Sequence, residues 1–192
     1  MAHDLELGRA LLAIARNAVG AELGRPQGVA PAHAALDAPG ATFVTLKQGG
    51  ELRGCMGSLE AARPLRADVH ANAIAAAFRD PRFPPLSAAE FDVTRAEVSL
   101  LSARLPIDAV DEEGLLRALV PGIDGVVLEY GRHRATFLPQ VWESLDDPRR
   151  FVDALKRKAG LSAGFWHAQI RFSRYTVSKW TEGEFLPNAV NA

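Results

Sequence analysis

The sequence predicts an α+β protein, built mainly from antiparallel sheet that helices cover, with a smaller α/β subdomain. Two segments are typical of β-hairpins: "ATFVTLKQGGELRGCMGSL", with Gly49-Gly50 at its turn, and residues 125–138, which turn near Gly131. Hairpins pair their strands antiparallel, which argues against a doubly wound parallel sheet. Capped helical patterns lie between the strand segments, and no segment repeats at a fixed period.

The first half of the chain alternates helical, irregular and strand-like segments. Apolar positions recur at helical spacing over residues 4–23, which predicts an amphipathic helix. Residues 24–41 are rich in Gly, Pro and Ala without a period and predict an irregular connector. After the first hairpin, residues 64–78 predict a buried helix, and the capping-box spacing from Ser87 to Glu90 predicts a short one.

The second half repeats this mixture. Residues 95–102 predict a strand and residues 111–119 a short helix with acidic residues at its start. "DDPRRFVDALKRKAG" has a helix's boundary signals, with Asp147 as the N-cap. Residues 165–180 predict one long strand, and we expect both hairpins to share one antiparallel sheet.

A length of 192 residues fits a single domain over residues 1–192. The connector at 24–41 and the helical segments near 64–90 are the candidate edges of a small subdomain within it. The sequence does not predict an oligomeric state.

Composition excludes several function classes. A net charge of −1 argues against broad nucleic-acid binding. One cysteine forms no intrachain disulfide, CxxC zinc site or self-ligated iron–sulfur cluster, and no HExxH spacing supports a metal site. The charged N-terminus is a poor signal peptide, and no apolar run is long enough to span a membrane, so we expect a cytoplasmic protein.

The single cysteine stands in "LRGCMG". On a regular strand Arg53, Cys55 and Gly57 share one face, and a guanidinium near a thiol favours the thiolate. Gly54 and Gly57, with Met56 between them, allow a ligand to approach the backbone closely. Two alternatives stay open: a buried cysteine in a glycine kink, and a bulge at Gly54 that moves Arg53 off the thiol's face.

Two further features are candidates for the same site. A cysteine nucleophile uses a histidine base, and His70 follows on the next predicted helix, although a surface or packing histidine explains it better. In "DPRFPPL", three prolines fix the backbone around Asp80, Arg82 and Phe83. Such a loop presents Arg82 to an anion, or it is a rigid connector with Phe83 packed in the core.

Six motifs in order resemble one known family: "LRGCMGSL", "DPRFPPL", "EVSLLS", "PGIDGVVLEYG", "ATFLPQVW" and "LKRKAGL". The chain resembles the AMMECR domain family, whose bacterial and archaeal branch is called AmmeMemoRadiSam system protein A. The resemblance runs from about Phe43 to Glu184, with Met56 where isoleucine is more usual. It implies an α+β fold with a larger and a smaller domain, and a functional site at the glycine–cysteine motif.

The resemblance leaves the reaction open, because the family has no settled biochemical activity. It implies association with a Memo-like protein and a radical SAM protein, which would supply any iron–sulfur cluster. One hypothesis is a thiol-dependent enzyme or enzyme subunit that acts through Arg53 and Cys55. The alternative is a non-catalytic scaffold whose glycine-rich "LRGCMG" groove binds a small-molecule ligand or a protein.

Overall fold

The structure is a computed structural model that describes residues 4–184, and it confirms the α+β class. The chain forms two compact units. The first comprises the residues up to Leu101 and those from Ser178 onward, and the second comprises Ser102–Val177. The segments 24–41 and 64–90 both lie inside the first unit, so neither marks the division between the two units.

Three helices belong to the first unit: α1 (Leu5–Glu22), α2 (Leu65–Phe78) and α3 (Ala88–Phe91). The Asp4 carboxylate accepts a hydrogen bond from the Leu7 amide and caps α1. The predicted capping box is present at α3: Ser87 and Glu90 each satisfy the other's backbone N–H. The local helix signals of the sequence are therefore confirmed.

The sheet of the first unit contains β1 (Pro39–Gln48), β2 (Glu51–Gly57), β3 (Arg63–Pro64), β4 (Thr94–Leu101) and β9 (Val177–Thr181). The strand order is β2-β1-β4-β9, and β3 pairs with the start of β1. β1 is antiparallel to both β2 and β4. Gly49 and Gly50 have positive φ at the first hairpin's turn, as the sequence predicts.

The β1–β2 pairing contains a bulge that matters for the site. Leu46 lies opposite Gly54, whereas Lys47 lies opposite Leu52, so Arg53 has no partner residue on β1. An extra residue on one strand breaks the simple alternation of side chains. The bulge therefore breaks the alternation of side chains from which the sequence predicts that Arg53 and Cys55 share one face of the strand.

One face of this sheet is buried against the helices. Val44 and Leu46 of β1 and Val98 of β4 lie in the same core cluster as buried residues of α1 and α2. Because side chains alternate along a strand, Phe43, Thr45 and Lys47 point to the opposite face. We call that opposite face the second face of the sheet.

The second unit has its own sheet and core. Its strands are β5 (Leu105–Pro106), β6 (Gly125–Tyr130), β7 (His133–Phe137) and β8 (Arg171–Tyr175), in the order β5-β8-β6-β7. All three pairings are antiparallel. The helices α4 (Glu112–Ala118) and α5 (Pro148–Lys158) contribute Leu115, Phe151 and Leu155 to the core, where Trp142 stacks on Phe151 with ring centroids 3.8 Å apart.

Two sequence expectations are wrong. The two hairpins, β1–β2 and β6–β7, lie in different sheets rather than one. The predicted single strand over 165–180 is two strands, since residues 165–170 are irregular and Thr176 separates β8 from β9. The physical reason is that β8 and β9 pair in different sheets, which the chain's local pattern does not reveal.

Candidate functional site

The glycines of the cysteine motif are required by packing. A Cβ on Gly54 would lie 2.1 Å from the Ala76 carbonyl oxygen of α2, and a Cβ on Gly57 would lie 2.3 Å from the Phe43 ring. Gly54 therefore allows α2 to approach the strand, and Gly57 leaves room for an aromatic side chain on the second face. The space beside both glycines is filled by the protein itself.

Cys55 lies opposite Thr45 in the β1–β2 ladder, and both residues are half-buried. Since Val44 and Leu46 face the helices, Thr45 and its cross-strand partner Cys55 lie on the second face of the sheet. The Thr45 hydroxyl donates a hydrogen bond to Cys55 Sγ over 3.3 Å. The thiol is therefore outside the hydrophobic core, with a hydroxyl donor directed at the sulfur.

The backbone of Cys55 is held by the loop that follows α2. The Cys55 amide donates to Asp80 Oδ2 over 2.8 Å. The Arg82 guanidinium donates to the other oxygen through Nε (2.9 Å) and to Oδ2 through Nη2 (2.7 Å). Arg82 Nη2 also approaches the Cys55 carbonyl oxygen at 3.4 Å. Asp80 and Arg82 thus fix the peptide on both sides of the thiol.

The electrostatics of this contact follow from burial and pairing. The hydrogen bonds from Arg82 outweigh burial and hold the pKa of Asp80 well below its usual range, with a further contribution from the Cys55 amide. The pKa of Arg82 is raised, chiefly by Asp80, and the negative charge of an ionised Cys55 adds to this. Asp80 is therefore a buried carboxylate, and Arg82 a permanent cation within electrostatic range of the sulfur.

Arg53 does not point at the thiol. Its Nε donates to Glu90 Oε1 over 2.8 Å, and its Nη2 lies 3.3 Å from Oε2. The Arg53 hydrogen bond, together with the Ser87 donors, lowers the pKa of Glu90 to about 2. Arg53 and Arg82 flank the Phe83 ring, with guanidinium carbons 5.9 and 5.5 Å from its centroid.

The remaining predicted site residues lie elsewhere. Met56 packs against the helix-side core cluster of the first unit, on the face opposite the thiol. His70 is exposed on α2, whereas α2 meets β2 through its buried residues, at Ala76. The structure therefore brings Cys55, Asp80 and Arg82 together, and it leaves Met56 and His70 outside that cluster.

The second face also carries an ion triad. Lys47 Nζ and Lys179 Nζ each lie 2.8 Å from a carboxylate oxygen of Glu97. Burial raises the pKa of Glu97, but the two ammonium groups lower it further, so the net direction is downward. Glu97 lies opposite Thr45 in the β1–β4 ladder, so Thr45 is flanked by Cys55 and by this triad.

Sequence reasoning missed a polar cluster at the end of β2. Asp68 is buried and accepts hydrogen bonds from the Thr42 amide and hydroxyl, from Ser58, from Arg63 and from Asn72. The signal was present, because Asp68 and Asn72 are polar residues at i and i+4, on the helix face that also carries the apolar Leu65, Val69 and Ala76. Because all of these donors bond to Asp68 of α2, the cluster connects α2 to the sheet.

The described part of the chain, residues 4–184, contains no group of three His, Cys, Asp or Glu side chains arranged to hold a metal ion. In the same residues, no helix has both the length and the apolar character needed to cross a membrane.

The structure is an α+β protein of two units in which Cys55 is fixed by hydrogen bonds to Asp80 and Thr45. Comparison with known protein families identifies the family to which it belongs. A family profile described as AMMECR1 matches residues 12–180. The chain therefore belongs to the AMMECR1 family, as its ordered motifs predict.

Relatives in three other organisms match different shares of the chain. A protein of Aeropyrum pernix is 38% identical over 188 residues, covering 92% of this chain and 79% of that protein. One from Thermofilum pendens is 41% identical over 137 residues, covering 69% of this chain and 63% of its own length. The match to a Sulfurisphaera tokodaii protein, 44% identical over 117 residues, covers 60% of this chain but only 51% of that protein.

A solved structure shares the fold. The crystal structure of an uncharacterized protein from Pyrococcus horikoshii superposes with a TM-score of 0.77 at 30% sequence identity, covering 92% of both chains.

Proposed function

We propose that this protein is a thiol-dependent enzyme, or the thiol-bearing subunit of one, with Cys55 as the reacting group. In the step we propose, the Cys55 thiolate attacks an electrophilic carbon, the S–C bond forms, and the leaving group departs with its bonding pair. The thiol proton passes to water beforehand. The sequence suggests Arg53 and Cys55 for this chemistry, and the contacts favour Arg82 over Arg53 as the cation of the site.

One observation carries the proposal: Cys55 is held from three directions while its side chain stays only half-buried. Asp80 accepts from its amide, Arg82 approaches its carbonyl oxygen, and the Thr45 hydroxyl donates to its sulfur. A hydroxyl donor and a nearby guanidinium both stabilise a thiolate. The hydrogen bond to the sulfur is the contact that a small apolar residue in a kink could not make.

The scaffold alternative is less well supported in the form that the sequence suggests. It requires open backbone beside the glycines, but Ala76 occupies the space at Gly54 and the Phe43 ring occupies the space at Gly57. A ligand that approaches this strand would therefore meet the thiol, Thr45 and Arg82.

We extend the proposal to partners: the protein acts with a Memo-like protein and a radical SAM protein, as the family resemblance implies. Tagged protein expressed at its native level should retain one of them above the level in an untagged control. If neither partner is enriched under mild lysis or after cross-linking, the partner proposal fails, and the thiol proposal is unaffected.

Alkylation tests the thiol directly, because Cys55 is the only cysteine. Intact-mass spectrometry measures the rate at which iodoacetamide adds to the native protein at neutral pH and to the protein unfolded in urea. We expect the native protein to label at least as fast as the unfolded chain, and Cys55→Ser to give no adduct. Native labelling about a hundredfold slower than in the unfolded chain would show that the thiol is structural.

Two variants assign the activation to particular contacts. Thr45→Val removes the donor hydroxyl and should slow labelling about fivefold, the equivalent of one hydrogen bond. Arg82→Gln should also slow labelling, whereas Arg79→Gln, an exposed arginine three residues earlier, is the matched control and should not. Equal effects of the two arginine substitutions would refute a specific role for Arg82. Urea midpoints of each variant check that the fold persists.

A further inference from the structure

The second unit contains a cavity that the proposed thiol chemistry does not use. Its volume is about 310 Å³, within the range of small-molecule sites. Ile107, Ile170 and Phe172 form an apolar floor and are all buried. Exposed charged residues lie at its rim, so the cavity is amphipathic: apolar at depth and charged at the mouth.

The charged rim residues are an acid, Asp108, two residues after β5, and a base, Arg171, the first residue of β8. β5 and β8 pair with Leu105 opposite Arg174, and the bond from the Ile107 amide to the Phe172 carbonyl continues this ladder. One more step in this register would bring Asp108 opposite Arg171, and both residues line the cavity. These two side chains nevertheless form no ion pair with each other or with any other residue of the described chain.

Arg171 is turned instead toward the backbone. Its Nη1 donates to the carbonyl oxygens of Ala168 (3.0 Å) and Ile170 (3.2 Å). A guanidinium carries five N–H donors, so Nε and Nη2 remain available to a ligand. Asp108 is exposed and lines the same cavity. The mouth therefore offers one anionic and one cationic partner side by side.

The aromatic wall of the cavity is preformed. Trp166 stacks on Phe172 with centroids 6.0 Å apart. The fully buried Lys156 lies 5.9 Å from the indole centroid and holds this segment by donating to the Ala163 carbonyl oxygen at 2.8 Å. The Gln169 amide donates to His167 Nδ1 over 3.1 Å, which fixes the imidazole in the same segment. Preformed walls lower the entropic cost of binding.

We propose that this cavity binds a free α-amino acid with a large apolar side chain. The side chain would lie on the apolar floor against Trp166, the ammonium group would pair with Asp108, and the carboxylate would accept from Arg171. A purely anionic ligand would be repelled by Asp108, and a purely cationic one by Arg171. A zwitterion with an apolar body matches the acid, the base and the floor together.

NMR of the three tryptophan indole N–H signals tests this site in the intact protein. The Trp166 signal is assigned as the one missing from Trp166→Phe. L-Phenylalanine at up to about 10 mM should shift this signal in a saturable way and leave those of Trp142 and Trp180 unchanged. 3-Phenylpropanoate, which lacks the amine, and 2-phenylethylamine, which lacks the carboxylate, should each bind about tenfold more weakly.

Variants then test the two charges. Asp108→Asn should weaken L-phenylalanine binding about tenfold, whereas Asp146→Asn, an exposed aspartate of the same unit, should not change it. Arg171→Lys should weaken binding, with Arg132→Lys as its control. Absence of a saturable Trp166 shift, equal binding of either analogue, or full binding by Asp108→Asn would overturn the proposal. Cys55 labelling is measured separately and does not depend on this result.

Discussion

Replacing Asp80 by asparagine tests whether the loop after α2 holds the thiol strand in place. The carboxylate accepts four hydrogen bonds, from the Cys55 amide and from the amide, Nε and Nη2 of Arg82. The asparagine side chain would keep one acceptor oxygen, and its NH₂ group would face donors. Because only 2% of the Asp80 side chain is exposed, water cannot replace the lost contacts there.

The magnitude follows from the contacts. A hydrogen bond to a charged group contributes about 1.5–3 kcal/mol, and breaking a buried ion pair costs about 3–5 kcal/mol. The Arg82 side chain is 54% exposed and rehydrates when its partner changes, which reduces the loss. We therefore expect Asp80→Asn to lower the free energy of unfolding by about 2–3 kcal/mol. With a urea m-value of about 2 kcal/mol/M, the midpoint should fall by about 1–1.5 M.

Urea unfolding followed by circular dichroism measures this change. Asp92→Asn is the matched control, because Asp92 also pairs with an arginine, Arg25, at 3.1 Å, but its side chain is 68% exposed. An exposed pair contributes below about 1 kcal/mol, so this control should change the midpoint little. Equal losses from the two substitutions would refute the argument that the burial of Asp80 makes its contacts valuable.

The pH dependence gives an independent test of the same carboxylate. The pKa of Asp80 is lower in the folded state than the usual value of about 3.9. Its contribution to stability is therefore fully present above that pH and is lost as the pH falls toward the folded pKa. The difference between wild type and Asp80→Asn should be constant near neutral pH and shrink below about pH 4. A difference that grows in acid would contradict this assignment.

Two further predictions concern contacts made by β2, the strand that carries Cys55. Gly54→Ala should destabilise the protein by about 3 kcal/mol, since the added Cβ would meet the Ala76 carbonyl oxygen. The control Gly164→Ala has open space around it and should leave the urea midpoint nearly unchanged. Glu90→Gln should lower the free energy of unfolding by about 2 kcal/mol at neutral pH, because it weakens the pair with Arg53. Unfolding measured from pH 7 to 2 should show this difference shrinking below about pH 4.5, since the pKa of Glu90 in the folded protein is about 2. A cost that is independent of pH would contradict the second of these.

The sequence by itself determined the local elements of this protein. The capping box at Ser87 and Glu90 and the cap at Asp147 act within one helical turn, and the glycine turn at Gly49-Gly50 acts within one hairpin. Such signals depend only on near neighbours in the chain, so the packing of the rest of the molecule does not change them. The ordered motifs also identified the family, which the AMMECR1 match confirms.

Only the tertiary structure decided how these elements combine around the thiol. It assigned the hairpins to two sheets. It also placed a bulge in β2 that leaves Arg53 without a partner residue on β1. It brought the Asp80 carboxylate to the Cys55 amide, 25 residues away in sequence, and paired Arg53 with Glu90, 37 residues away. Charged partners so distant in the chain are selected by packing and desolvation, which carry no local sequence pattern.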